Sequence, residues 1–149
     1  MFAAINSTGY NVVLLVHLLS FLAALGPAAV FPVLRARWQN DDGLSRALAA
    51  AGVAGGRMVW GPALLVLGLT GFALAGMSDD AFEMSETWLM LAVLLWIALN
   101  GVVHAMIVRG NKAAAAGDPA GHRLADLGGA ISGVLTLVVL YLMVFKPGH

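Results

Sequence analysis

Residues 12–37 read VVLLVHLLSFLAALGPAAVFPVLRAR, and apart from His17 and Ser20 nothing before Arg35 is strongly polar. The run is longer than the ~20 residues needed to cross a hydrocarbon core of ~30 Å. It is continuous rather than alternating, so it reads as a membrane-spanning helix, the form that satisfies its own backbone in lipid. A single imidazole inside it is the feature that asks for a functional explanation, because an ionisable group at membrane depth is costly.

The rest of the chain has the same character. Of 149 residues, 60% are hydrophobic and 11% are charged, with a mean hydropathy of +0.88. A soluble domain carries about 25% charged residues. Further apolar runs give spans at about 10–34, 58–76, 87–108 and 124–145, predicting an all-α, transmembrane four-helix up-down bundle in one domain. The N-terminus MFAAINSTGYN has no basic residue and a long apolar run after it, so the first helix is expected to be retained rather than cleaved as a signal peptide.

Charge placement predicts orientation. The first connection carries Arg35, Arg37, Arg46 and Arg57, and the third carries Arg109, Lys112 and Arg123. The middle connection, MSDDAFEMSE, has four acids and no base. The positive-inside rule then puts both basic loops in the cytoplasm and both termini outside, on the periplasmic side of a bacterial cytoplasmic (inner) membrane. Lys146 is the one basic residue that disagrees. The acidic loop reads mainly as the external counterpart of that bias, with Asp79, Asp80, Glu83 and Glu86 as the alternative, a divalent-cation site.

The formal net charge of zero offers no field for nucleic acid. Without cysteine there is no disulfide, thiolate metal site or cysteine nucleophile. Phosphate-loop, His-Glu-x-x-His and Ser/His/Asp motifs are also missing from the sequence.

Local signals fill in the connections. DDGLSRALAAAGVAGG predicts a short interfacial helix entered through Asp42 or Ser45 as cap, whereas RGNKAAAAGDPAGHR reads as a mobile loop. Pro27 and Pro32 are expected to kink the first helix, and Pro62 to fall near the start of the second. Gly129-x-x-x-Gly133 marks a close helix approach, as do Gly68, Gly71 and Ala75. Trp38, Trp60 and Trp88 read as interfacial anchors, and Trp96 as packing bulk. His122 and His149 are expected to be solvated.

Helix rise puts His17 roughly 10 Å deep, level with Thr70, Met90 and Thr136. His104 and Asn100, one turn apart on one face, and Ser132 lie roughly 15 Å below. The two histidines are therefore too far apart to share one iron. The alternative reading of either is interhelical glue, hydrogen-bonded to a carbonyl or hydroxyl, and His104 is also close enough to the interface to snorkel.

Several stretches resemble a known family. The His17 helix ending in Phe31-Pro32-Val33-Leu34-Arg35 resembles the opening of the HemJ-type protoporphyrinogen oxidases and their CopD-like relatives. The segment GPALLVLGLTGFAL resembles their second helix, and WLMLAVLLWIALNGVVHAMIVR their third. The ending VVLYLMVFKPGH is similar to the Lys-Pro ending of HemJ-type chains and, more closely, of a related group of bacterial four-helix membrane proteins.

The resemblance implies a redox protein that binds haem b and passes electrons to quinone. Carried onto this chain, it makes His17 an axial ligand of the haem iron. The family's functional Lys near the start of the third helix has no counterpart within Glu86–Val93. Met90 is the substitute ligand there, with Arg35 and Arg57 as propionate partners and Asn100 and His104 lining a proton or quinone path. The competing reading is a non-catalytic accessory subunit or scaffold, in a homo-oligomer or larger membrane complex, with structural histidines. A metal-ion permease is a third reading, which lacks the Met- and His-rich clusters of soft-metal handling.

Overall fold

The structure, a computed structural model, describes residue 5 and residues 7–79 and 81–148. Asp80 and His149 lie outside the described residues. Four helices are long and apolar enough to cross a membrane: α1 (Thr8–Trp38), α2 (Asp42–Gly76), α3 (Thr87–Ala115) and α4 (Pro119–Phe145). They run up and down as a bundle. One end, called here the terminal end, gathers the start of α1, the 77–86 connection and the close of α4. The other, the basic end, gathers Arg35 and the α2 and α3–α4 turns.

Three of the four helices begin on a capping side chain ahead of their apolar run. Ser7 Oγ accepts from Tyr10 N at the head of α1, and Asp118 Oδ1 accepts from Ala120 N ahead of Pro119 in α4. The α2 cap is Asp41, whose Oδ1 accepts from Leu44 N, one residue before the expected position.

The expected interfacial helix exists, but it is continuous with the second span, so Pro62 lies in the interior of a 35-residue helix rather than near its start. A π-turn over Gly56–Trp60 immediately precedes this proline, and Gly61 N bonds to Gly56 O five residues back. The wider turn accommodates a residue that has no donor of its own. A second π segment, Val103–Val108, lies in α3 at the same level. Helix α1 stays helical through Pro27 and Pro32.

The third connection is mostly helix too. The alanine run Ala113–Ala116 favours continuation, and α3 ends only at Gly117, which takes φ +92°. Asp118 N bonds to Ala113 O and Gly117 N to Ala114 O, the two bonds of a Schellman stop.

In lipid, burial of apolar surface does not drive helices together, so close packing and interhelical polar bonds carry the association. Gly110 and Gly121 bring α3 and α4 into backbone contact, where a Cβ on Gly121 would meet Ala114 N at 2.4 Å. The expected pair Gly129 and Gly133 does not do this, since a Cβ at either meets nothing within 4 Å.

Polar bonds tie the helices pairwise, each worth about 0.6–2 kcal/mol. Arg35 on α1 donates to Asn111 Oδ1 on α3 at 3.0 Å and pairs with Asp126 on α4. Trp96 Nε1 on α3 donates to Leu64 O on α2 at 2.7 Å.

Two of the expected interfacial anchors are interior residues instead. Trp60 packs edge-on against Phe31 at 5.1 Å. Trp88, only 4% exposed, packs edge-on against Phe82 and donates to Glu86. Their size fills gaps between helices, while most of the exposed large apolar residues are aliphatic, among them Leu22, Val33, Leu69, Leu94 and Leu137.

Candidate functional site

His17 sits nine residues into α1, half-buried against α2. Its Nδ1 lies 3.0 Å from Leu67 O and 3.0 Å from Thr70 Oγ1. A carbonyl can only accept, so Nδ1 carries the proton. The Thr70 hydroxyl spends its own proton on Val66 O at 2.7 Å, leaving its lone pairs for the imidazole. These bonds select one tautomer and leave Nε2 with a lone pair and no hydrogen-bond partner among the described residues. Gly71 makes this seat possible, because even a Cβ there would lie 3.3 Å from His17 Cε1.

The imidazole opens on a cavity of about 400 Å³ whose lining includes Tyr10, Gly71, Trp88, Trp96, Met143 and Lys146. All four helices contribute. Packing explains the space: α2 and α3 meet closely at the basic end but diverge over residues 61–76 and 87–102. Between them Trp96 spans the gap, seated on Gly68, where a Cβ would meet Trp96 Cε2 at 2.3 Å. A mostly apolar cavity with a few convergent polar groups is the usual form of a small-molecule site.

Lys146 was the basic residue out of place in the charge pattern, and here it lines the same cavity as His17. It caps α4 in the left-handed conformation, φ 41° and ψ 59°, an unusual state for a side chain with a Cβ. Its Nζ lies 4.0 Å from the centroid of the Phe82 ring and 5.9 Å from that of Trp88. Neither its position near Trp88 nor that of Met143 could be read along the chain, because 58 residues separate Lys146 from Trp88. The one signal was topological: four spans return the last residues to the level of the first.

No family model, curated protein or solved structure matches this chain. The site therefore stands on its geometry.

The other expected site residues lie elsewhere. Met90 is 54% exposed and does not line the His17 cavity; the rotation of α3 turns it outward. Arg35 is 18 residues from His17 on one helix, about 27 Å along the axis, and its guanidinium is engaged by Asp126 and Asn111. Arg57, in the π-turn of α2, is exposed at that same basic end. Neither arginine lines the His17 cavity.

Asn100 donates to Trp96 O of its own helix at 2.8 Å. His104 is exposed on the bundle's flank beside Gly61. Neither lines the cavity, so the two do not form a common interior path. His122 is half-buried and lies 3.4 Å from Ser45 Oγ, with Nδ1 buried and unpartnered, rather than fully solvated.

At the basic end a separate cleft of about 60 Å³ lies among Arg35, Asn111, Asp126 and Ser132. Ser132 is 1% exposed and its hydroxyl has no partner there. Among the described residues no group of three or more acidic, His or Cys side chains converges as a metal site. In the acidic connection, Glu83 and Glu86 are turned to local use, accepting from Ser85 and Trp88.

Proposed function

We propose that this multi-pass membrane protein binds haem b in the cavity of the terminal end, with His17 Nε2 as an axial ligand. The observation that carries the reading is the pair of bonds from Nδ1–H to Leu67 O and Thr70 Oγ1. Metal-ligating histidines characteristically give their second ring N–H to a carbonyl or carboxylate, which holds ring and tautomer in place. A histidine serving only as glue between α1 and α2 needs no open volume beside its ring, and here the ring lines a cavity of about 400 Å³.

The donor set agrees with that chemistry. Besides the imidazole, the cavity presents the thioether of Met143, and His/Met is an established axial pair; the Lys146 amine lines the same cavity. The amine also stands against Trp88, at the start of the helix from which the HemJ-type proteins supply their functional Lys. Bound haem supplies a one-electron couple. The chain's own part is to hold the Nε2 lone pair in place and to exclude water with Trp88 and Trp96. The acidic and basic connections support a bacterial cytoplasmic membrane with both termini outside.

The test is a visible spectrum of the detergent-purified protein, oxidised and dithionite-reduced, expressed with added haem. A Soret band that disappears in His17→Ala is the expected result. A well-folded but colourless preparation defeats the reading and leaves the histidine a structural link between α1 and α2.

A further inference from the structure

We infer that Lys146 is the anion anchor of the terminal-end cavity, receiving the carboxylate of an amphiphilic ligand whose apolar body lies toward His17. The inference rests on the haem reading and extends it, since the carboxylates are then the propionates.

Position is the first argument. Lys146 and His17 line one cavity, but they stand at different depths. His17 is nine residues inside α1, about 14 Å by helix rise, whereas Lys146 follows the last residue of α4. The lining between them is overwhelmingly apolar and aromatic, from Tyr10 through Trp88 to Met143. A ligand filling this volume therefore meets a nitrogen lone pair at the deep end and a cation at the surface end. That polarity matches a flat hydrophobic body with acidic substituents on one edge.

The second argument is the way the amine is held. The left-handed cap turns the chain sharply after Phe145, and Lys146 N keeps its bond to Leu142 O. The side chain thereby reaches the cavity lining, with Nζ over the Phe82 ring and near Trp88. Ring faces attract a cation without occupying all three of its donors. A carboxylate can approach while both rings stay in place.

Arg35 and Arg57 are the alternative cations, and both lie at the opposite end of the bundle. Arg35 is also held by Asp126 and Asn111. Among the cationic residues Lys146 alone lines this cavity.

The experiment is a spectral titration of the purified full chain with haem and with its neutral dimethyl ester, on the wild type, Lys146→Gln and Lys146→Arg. Loss of a charged hydrogen bond predicts about tenfold or more weaker haem binding in Lys146→Gln. The dimethyl ester should bind wild type and Lys146→Gln alike, and Lys146→Arg should restore haem affinity. Equal weakening of haem and ester in Lys146→Gln overturns the inference, because the amine would then act on the iron or on cavity shape. Equal affinity of wild type and Lys146→Gln for haem overturns it too. If neither compound binds the wild type, the haem reading itself has failed, and the anchor falls with it.

Discussion

The two ends of the bundle are built from the same four helices, yet one is closed and the other hollow. At the basic end, Gly110 and Gly121 let α3 and α4 touch backbone to backbone, and the Arg35–Asn111–Asp126 cluster ties α1 to both. The cleft left there is about 60 Å³. At the terminal end, Trp88, Trp96 and Phe82 stand between helices, and about 400 Å³ remains beside His17. Hydrophobicity cannot be the cause of the difference, since lipid is as apolar as the side chains. The contacts differ instead: Gly110 and Gly121 permit backbone approach, whereas Trp96, seated on Gly68, spans the gap between α2 and α3.

The sharpest way to break this comparison is to add one methyl group at each kind of glycine. Gly121→Ala pushes a Cβ against backbone at 2.4 Å, with nothing flexible to give way. Its expected cost is about 3 kcal/mol or more, at or above the usual range for overpacking. Gly133→Ala adds the same group in open space and should stay within about 0.5 kcal/mol of wild type. Thermal unfolding in one detergent compares them directly. Equal effects would mean that α3 and α4 do not meet at Gly121.

The polar cluster comes next in size. Removing Arg35 leaves a buried Asn111 oxygen without its donor, and Arg35→Ala should cost about 1–3 kcal/mol. Asp126 is half exposed, at 53%, so Asp126→Ala should cost no more than about 1 kcal/mol. Denaturation of both single variants and the double variant gives the coupling. A larger loss from Asp126→Ala than from Arg35→Ala would contradict the burial assigned to Asn111.

The hollow end follows, with an effect below that of Arg35→Ala. Thr70→Val removes one of two acceptors from His17 Nδ1–H and leaves Leu67 O in place, so stability should fall by about 0.5–1.5 kcal/mol. The imidazole nitrogen shifts in labelled protein should still report an Nδ1–H tautomer. A switch to the Nε2–H form would show that the carbonyl alone does not hold the ring.

The span count and the positions of the polar groups along each helix were legible from the residue order. So was the anomaly of His17, and its partner Thr70 was placed at the correct depth. The rotation of each helix about its axis was not. In a soluble helix one apolar face announces the core, but a helix apolar all round leaves its facing side unmarked. That is why Met90 turns outward, why Gly129 and Gly133 face open space, and why Trp60 and Trp88 lie inside. The continuous α2 was missed for a different reason: Pro62 signals a helix start, and only a π-turn, which leaves no sequence mark, lets the helix run through.

By itself, then, the amino-acid order determined four apolar helices, their alternating direction and one deep imidazole, because length and polarity are properties of single segments. Tertiary structure decided which nitrogen of that imidazole is free, and it decided that Lys146 and Met143 share its cavity. Those depend on how four nearly featureless surfaces pack, and packing is settled by the fit of glycine, indole and imidazole across helices distant in sequence.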